Sequence, residues 1–235
     1  MKAYNSKSVL SATETEALRR HCEDIHAWIA ANGGIVEEGV LPVEFLGGGY
    51  FGSAYRLKQY PGLVLKLCMN KDDGFPAYAR TVAKLRKRPK WAPVYFTMGG
   101  HESKRGGFWC VMPEYVDPYR ENRSHVYWRE IGGQALSNKC NEVATDAAVQ
   151  QRNNWSHDDW YKIPQVRRNT DMKIKCRKDR KLVRQLRKVL RPIMKAGGTI
   201  YVHEGNALLD GQQWIITDPV ASFHHKDKEL NGYAN

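Results

Sequence analysis

Apolar residues near the N-terminus recur at three- and four-residue intervals, which is the spacing of one face of an α-helix. This stripe consists of Leu18, Cys22, Ile25 and Ile29. Ser11 and Glu14 precede it at the spacing of a capping box, in which the two residues bond each other's backbone. Gly33 and Gly34 follow it and end the pattern. The sequence therefore predicts an amphipathic helix at the start of the chain.

The next part of the chain contains short apolar runs bounded by glycine and proline, which are typical of β-strands. Strands are predicted at 43–57, where glycines interrupt the run, and at 62–67, 92–98 and 107–112. Gly99 and Gly100 supply the turn between the last two strands. One short helix is predicted over 75–87, because Tyr78 and Val82 recur at helical spacing.

The second half of the chain is more helical and more polar. Residues 134–150 are predicted to form one helix, and the strongest helical periodicity runs through 180–195. Two apolar pieces follow at 199–202 and 214–217, with a turn at 210–211 between them. A helix, then strands, then helices and a final hairpin predict an α+β fold.

Composition indicates a globular chain. Hydrophobic residues make up 42 % and charged residues 26 % of the sequence, which is enough apolar material for a core. No apolar run reaches the roughly 18 residues that a membrane span needs, and the N-terminus has no apolar segment typical of a signal peptide. We therefore expect a soluble, cytoplasmic protein without a membrane partner. The five scattered cysteines predict reduced, buried thiols.

The excess positive charge lies in one segment. Residues 161–195 contain 14 Lys or Arg and two acids, which leaves 23 of the 37 basic and 23 of the 25 acidic side chains for the rest of the chain. This basic segment favours a docking surface for an acidic protein or for nucleic acid. A solvated helix face with a charged loop is the alternative.

A glycine-rich segment, GGGYFGSAY, lies between two predicted strands. Gly47, Gly49 and Gly52 fit the pattern G-x-G-x-F-G. Glycines let the backbone approach closely, so that amide N–H groups can bond phosphate oxygens. Phe51 would fold over the phosphates and exclude water. A glycine hairpin without a ligand is the alternative interpretation.

Two further segments fit a nucleotide site. Lys66 lies in an otherwise apolar predicted strand, where its charge is costly unless it is paired. Phosphate oxygens would pair it, whereas a lysine on the solvent face of an edge strand is the alternative. After the strand at 107–112 comes a proline-containing connector with Glu114 and Tyr115. Its backbone groups suit a hinge that contacts an adenine edge, although any strand followed by a loop gives this pattern.

The strongest chemical signal lies near the C-terminus, in the segments HEGNALL and ITDP. Asn206 and Asp218 are twelve residues apart across a predicted hairpin. Both side chains offer oxygen ligands, which a hard cation such as Mg²⁺ prefers. The pattern therefore predicts a magnesium site at the open end of that hairpin.

This ordered set of motifs resembles that of the protein-kinase superfamily. It consists of the glycine loop, the strand lysine, the hinge, H-x-x-N and the final Asp. The segments GGGYFGSAY, KDDGFPAY, HEGNALL and ITDPVASF are most similar to the early serine/threonine protein kinases of T-seven-like bacteriophages, which are linked to host transcription shutoff. The resemblance covers 43–118 and 180–227. It implies a two-lobed fold, with an N-terminal helix and antiparallel-sheet N-lobe in 1–112. The hinge and a reduced, mostly helical C-lobe would occupy 113–235.

The resemblance also implies a function, namely phosphorylation of host proteins on serine or threonine in the host bacterial cytoplasm, with ATP and Mg²⁺ as cofactors. Lys66 would hold the α- and β-phosphates. Asn206 and Asp218 would hold Mg²⁺, and His203 would lie near the γ-phosphate. Positioning and charge neutralisation would then supply most of the catalysis.

The catalytic carboxylate departs from the kinase pattern. Kinases place it five residues before the metal-binding Asn, where this chain has Tyr201. A phenol with a pKa of about 10 is a poor base at neutral pH. Glu204 or His203 would have to act as the base, or phosphoryl transfer would be slow or absent.

Two other parts of the kinase pattern are missing. Kinases pair the strand lysine with an acid in the following helix, but residues 74–88 contain no acid. Asp72 and Asp73 are the nearest replacements. Since 17 residues follow Asp218, we expect a truncated C-lobe without the usual activation segment.

Two rival functions follow from these departures. Tyr201 favours a pseudokinase that binds and inhibits a host protein through the basic segment, 161–195. The same segment, with aromatic residues nearby, favours an RNA- or DNA-binding protein, or a kinase whose targets are associated with nucleic acid.

Overall fold

The computed structural model describes residues 3–32, 36, 39–48, 52–69, 73–100, 107–117, 177–196, 198–200 and 206–223. These residues form an α+β structure around an antiparallel sheet, which confirms the predicted fold class. The helices are α1 (Ala12–Ala31), α2 (Phe75–Ala83) and α3 (Arg177–Lys195). The strands are β1 (Val43–Gly48), β2 (Gly52–Leu57), β3 (Leu63–Cys68), β4 (Thr97–Gly100), β5 (Phe108–Pro113), β6 (Gly198–Ile200), β7 (Ala207–Asp210), β8 (Gln213–Ile216) and β9 (Val220–Phe223).

The first five strands form one antiparallel sheet in the order β1-β2-β3-β5-β4. Successive side chains of a strand point to opposite faces of a sheet. Leu65 and Leu67 of β3 belong to one buried apolar cluster. Val64 and Cys68 belong to the other. By the same alternation, Lys66 lies on the face of Val64 and Cys68.

Helix α1 covers the first face of the sheet. Its capping box is formed as predicted, because Ser11 Oγ accepts from Glu14 N at 3.1 Å and Glu14 Oε2 accepts from Ser11 N at 2.8 Å. The whole predicted stripe is buried: Leu18, Cys22, Ile25 and Ile29. This stripe packs in one cluster with Trp109 and Val111 of β5. The helix is therefore part of the fold and not an appendage.

The second face packs against α2, α3 and the C-terminal strands. Tyr78 of α2 donates its hydroxyl hydrogen to Ile216 O at 2.7 Å in a buried hydrogen bond. Gly74 precedes α2 and lies so close to Val220 that a Cβ would come within 2.1 Å of Val220 Cγ1. These contacts hold the start of α2 against the strands on either side of Asp218.

The C-terminal strands form two pairs. β7 and β8 form a hairpin around Gly211, and β6 pairs with β9. A hairpin between 199–202 and 214–217 was therefore the wrong pairing, because a two-residue turn joins only the strands directly beside it. The hairpin also pairs with the connector after β5, since Val116 and Leu209 exchange both backbone hydrogen bonds.

Several predicted boundaries differ from the structure. The helix predicted over 75–87 ends at Ala83. The strand predicted over 92–98 begins only at Thr97, since Pro93 has no N–H to donate to a sheet. The helix predicted over 134–150 lies outside the described residues.

The described residues also bear on the broader predictions. Within 113–235 they comprise α3 and four short strands, so the mostly helical C-lobe stays a prediction. Cys22, Cys68 and Cys110 are buried and free, as predicted, and the other two cysteines lie outside the described residues. Among the helices that the structure describes, none has the length and apolarity to cross a membrane.

Candidate functional site

The centre of the site is an ion pair between residues far apart in sequence. Lys66 lies at the middle of β3, opposite Ala54 of β2 and Cys110 of β5. Its Nζ donates to Oδ2 of Asp218, which follows the β7–β8 hairpin. The two side chains are 17 % and 23 % exposed, so the pair is largely shielded from water. The structure thus brings two of the predicted site residues into direct contact.

The surroundings of Lys66 keep it positively charged. Burial alone would lower the pKa of Lys66, but the negative charge of Asp218, helped by that of Asp73, outweighs burial and raises this pKa above its ordinary value. The face of the Phe75 ring also lies 3.8 Å from Nζ. A ring at this distance attracts a cation through its quadrupole. Lys66 therefore presents a fixed ammonium on the second face of the sheet, which packs against α2 and α3.

Asn206 is held beside the residue before Asp218. The carbonyl oxygen of Asn206 accepts hydrogen bonds from Thr217 N at 2.9 Å and from Thr217 Oγ1 at 3.3 Å. These bonds close the open end of the β7–β8 hairpin, where the sequence places both predicted metal ligands. The hairpin therefore brings the two predicted ligands to the same end of the structure.

The donor set fits a hard divalent cation. Asp218 Oδ1 is buried and has no hydrogen-bond partner among the described residues, so one carboxylate oxygen is left over after Lys66 is paired. Oxygen ligands of this kind suit Mg²⁺. No group of three or more His, Cys, Asp or Glu side chains that could hold a metal occurs in the described part of the chain. An ion bound here would therefore depend on Asp218 and Asn206 together with phosphate oxygens or water.

The glycine hairpin is described at its two ends. Gly47 lies in β1, opposite Ala54, and Gly52 begins β2, opposite Cys68. A Cβ at Gly52 would come within 2.2 Å of Leu67 O, whereas a Cβ at Gly47 would meet nothing within 4 Å. Gly52 is therefore required by the close approach of β3. Gly49 and Phe51 lie outside the described residues.

The two glycines are expected to differ in their effect on stability. Replacing Gly52 by alanine should lower the free energy of unfolding by about 1–3 kcal/mol, because a backbone atom must move. Gly47→Ala is the matched control and should change it by less than about 0.5 kcal/mol. Urea denaturation of both variants measures this difference. Equal stability of the two would contradict the close approach at Gly52.

The side chains of the two predicted hinge residues are already engaged within the protein. The carboxylate of Glu114 accepts from Arg56 Nε at 2.9 Å and from Arg56 Nη2 at 2.5 Å. The Tyr115 hydroxyl accepts from Val94 N at 3.0 Å, and burial raises the pKa of Tyr115 to about 12. Any contact of these residues with an adenine would therefore come from their backbone.

The arrangement offers a fixed ammonium, a carboxylate with a spare oxygen and a glycine hairpin at one end of a sheet. No protein-family model and no curated protein matches this chain. The function is therefore argued from the geometry of the site and from the motifs of the sequence.

Some predicted residues are not placed by the structure. His203, Glu204 and Tyr201 lie outside the described residues. Of the basic segment, only 177–195 is described. There, α3 buries an apolar stripe and exposes Arg184 and Lys188, in line with the predicted amphipathic helix.

Two contacts in the site have no sequence signal. Phe75 provides the ring beneath Lys66, and a phenylalanine at the start of a helix does not by itself predict a cation partner. Arg56 clamps Glu114, and this pairing depends on strand register. The sequence did indicate the acids just before α2 as partners for Lys66, because the helix itself contains no acid.

Proposed function

We propose that the protein binds ATP with Mg²⁺ and transfers its terminal phosphoryl group to serine or threonine residues of host proteins. The observation that carries this proposal is the contact between Lys66 and Asp218. It joins the strand that follows the glycine hairpin to the hairpin that carries the predicted metal ligands. A nucleotide with its metal needs this combination of one cation, one carboxylate and close backbone N–H groups.

The predicted site residues would have separate roles in binding the nucleotide and the metal. Lys66 would exchange Asp218 for the α- and β-phosphates, while Asp218 and Asn206 would hold Mg²⁺. The metal, when bound, would neutralise charge on the transferred phosphoryl group. Gly47 and Gly52 would let the β1–β2 hairpin lie close over the phosphates. The binding energy would thus come from charges that the fold already fixes in place.

The connector after β5 supports a place for the adenine. Glu114 N donates to Gly62 O, and the N–H and C=O of Val116 both bond Leu209. The N–H of Tyr115, between them, donates to no backbone carbonyl in the part of the chain that the structure describes. In the proposed complex this N–H would donate to an adenine edge. The two-lobed kinase arrangement is part of this proposal, with the five-stranded sheet as the first lobe.

Transfer of labelled phosphate tests the proposal. Wild-type protein, incubated with γ-labelled ATP, Mg²⁺ and host lysate, is expected to label host proteins. Asp218→Asn should lose this labelling, because the amide cannot supply the anionic ligand. Intact-mass and denaturation measurements on the variant would show that it is folded. Equal labelling by the two proteins would exclude the kinase function.

Tyr201 at the position of the catalytic carboxylate favours the pseudokinase as a second candidate. In that case the wild type binds Mg²⁺ and ATP but labels nothing, and it retains a host protein through the basic segment. A pull-down from host lysate would then recover the same partner with Lys66→Ala. Loss of that partner on neutralising Arg184 and Lys188 would locate the contact on α3.

A further inference from the structure

Asp73 is a buried acid beside the Lys66–Asp218 pair. It is 4 % exposed, and its Oδ1 accepts from Phe75 N at 2.8 Å. Its Oδ2 is buried and has no hydrogen-bond partner among the described residues. The ring of Phe75 in turn lies 3.8 Å from Lys66 Nζ. The residue that fixes Asp73 is thus the same one that lies against the ammonium.

The cluster holds two carboxylates and one ammonium. Asp218 has the direct contact with Lys66, whereas the buried carboxylate of Asp73 forms no ion pair with any residue that the structure describes. Burial, followed by the charge of Asp218, raises the pKa of Asp73 to about 6, while Lys66, Phe75 N and the Cys68 thiol act in the opposite direction. A buried polar atom without a partner costs stability. The free protein therefore gains nothing obvious from the second oxygen of Asp73.

The proposed function supplies a role for that oxygen. Among the residues that the structure describes, Asp218 is the one carboxylate that contacts Lys66, and Asp218 is also the predicted metal ligand. Once Asp218 takes a metal, the ammonium loses that contact and must be held by something else if it is to stay near the phosphates. In kinases an acid within the following helix does this. Helix α2 has no acid, and Asp73 lies directly before its N-cap residue, Gly74.

We propose that Asp73 is the second partner of Lys66, which takes over the ammonium when Asp218 holds the metal and so keeps Lys66 directed at the nucleotide phosphates. This inference rests on the proposed function. Asp73 is a positioning residue, because it acts through Lys66 and not on the nucleotide. The exchange moves one ammonium between two carboxylates whose charges both act on it in the free protein.

The variant Asp73→Asn tests the inference, because the amide keeps an oxygen for the Phe75 N–H but removes the charge. We expect the Kd for Mg²⁺-ATP to rise about tenfold or more, the usual effect of losing a hydrogen bond to a charged group. The melting temperature of the free protein should stay the same or rise. Asp24→Asn, an exposed acid on α1, is the matched control and should change neither quantity.

A second background separates positioning from a general structural effect. In Lys66→Met, replacing Asp73 should weaken Mg²⁺-ATP binding no further, because the ammonium through which it acts is gone. Asp73→Ser, which also keeps an acceptor for Phe75 N, should behave like the asparagine variant. Wild-type affinity in both Asp73 variants, or an equal loss with and without Lys66, would overturn the inference while leaving the proposed function intact. A wild-type protein that binds no nucleotide would overturn both.

Discussion

Replacing Lys66 by methionine is expected to lower the free energy of unfolding by about 3–5 kcal/mol at neutral pH, the usual cost of removing one partner of a buried ion pair. The methionine fills most of the volume of the lysine stem, so packing is largely kept. The cost arises because Asp218 and Asp73 are left as shielded carboxylates without a cation. Urea denaturation at pH 7 measures the loss.

The same variant should show a characteristic pH dependence. Burial and the charge of Asp218 already raise the pKa of Asp73 to about 6, and the loss of Lys66 removes an influence that lowers it, so the folded state binds more protons than the unfolded state. Stability should therefore fall as pH rises from about 4 to 7, and the deficit against wild type should be smaller at pH 4. In the wild type, the raised pKa of Lys66 changes stability at the other end of the pH range. Its stabilisation is fully present at neutral pH and is lost only as pH rises above the ordinary lysine range.

A matched control removes a charge that forms no ion pair with the residues that the structure describes. Lys58 lies exposed in the turn after β2, and Lys58→Met should change stability by less than about 0.5 kcal/mol. Lys66→Arg keeps the charge and should retain part of the lost stability. If Lys66→Met unfolds at the same urea concentration as Lys58→Met at pH 7, the buried pair does not form in solution.

Local patterns in the sequence predicted the parts of the fold that local interactions determine. The capping box at Ser11 and the apolar stripe of α1 depend on residues within one helix. The turn at Gly211 is local in the same way, although the strand after it was predicted to pair with 199–202 and pairs with β7. The sequence also placed Lys66 in a strand of apolar residues, which indicated that its charge needs a partner. For such features the sequence alone was sufficient.

The remaining parts depend on contacts between distant segments. The pairing of β6 with β9 was missed because nothing near Thr199 marks its distant partner in the sequence, Ser222. Phe75 beneath Lys66 depends on where α2 packs on the sheet. The engagement of Glu114 by Arg56 depends on the register of β2 with β3 and of β3 with β5. Periodicity within a segment carries no information about these relations.

Replacing Phe75 by alanine is the second change with a large expected effect. Its side chain is fully buried and packs edge-on against Phe108 and Tyr95, with ring centroids 6.1 and 6.3 Å apart. Truncation removes this packing and leaves a cavity, so the free energy of unfolding should fall by about 3–5 kcal/mol. Urea denaturation again provides the measurement.

Phe75→Leu separates the role of the ring face from that of apolar volume. Leucine restores most of the buried volume, so the variant should recover much of the stability lost in Phe75→Ala. What it still lacks is the attraction between the ring and the Lys66 ammonium, about 0.5–2 kcal/mol for a shielded pair. This remaining stability difference between leucine and phenylalanine at position 75 should disappear when both are compared in the Lys66→Met background. Phe108→Leu changes another ring of the same cluster, whose cation partner is Arg80. Its cost in free energy of unfolding should therefore be the same with Lys66 and with methionine at position 66. A Phe75→Leu cost that is independent of Lys66 would mean that the ring contributes packing alone.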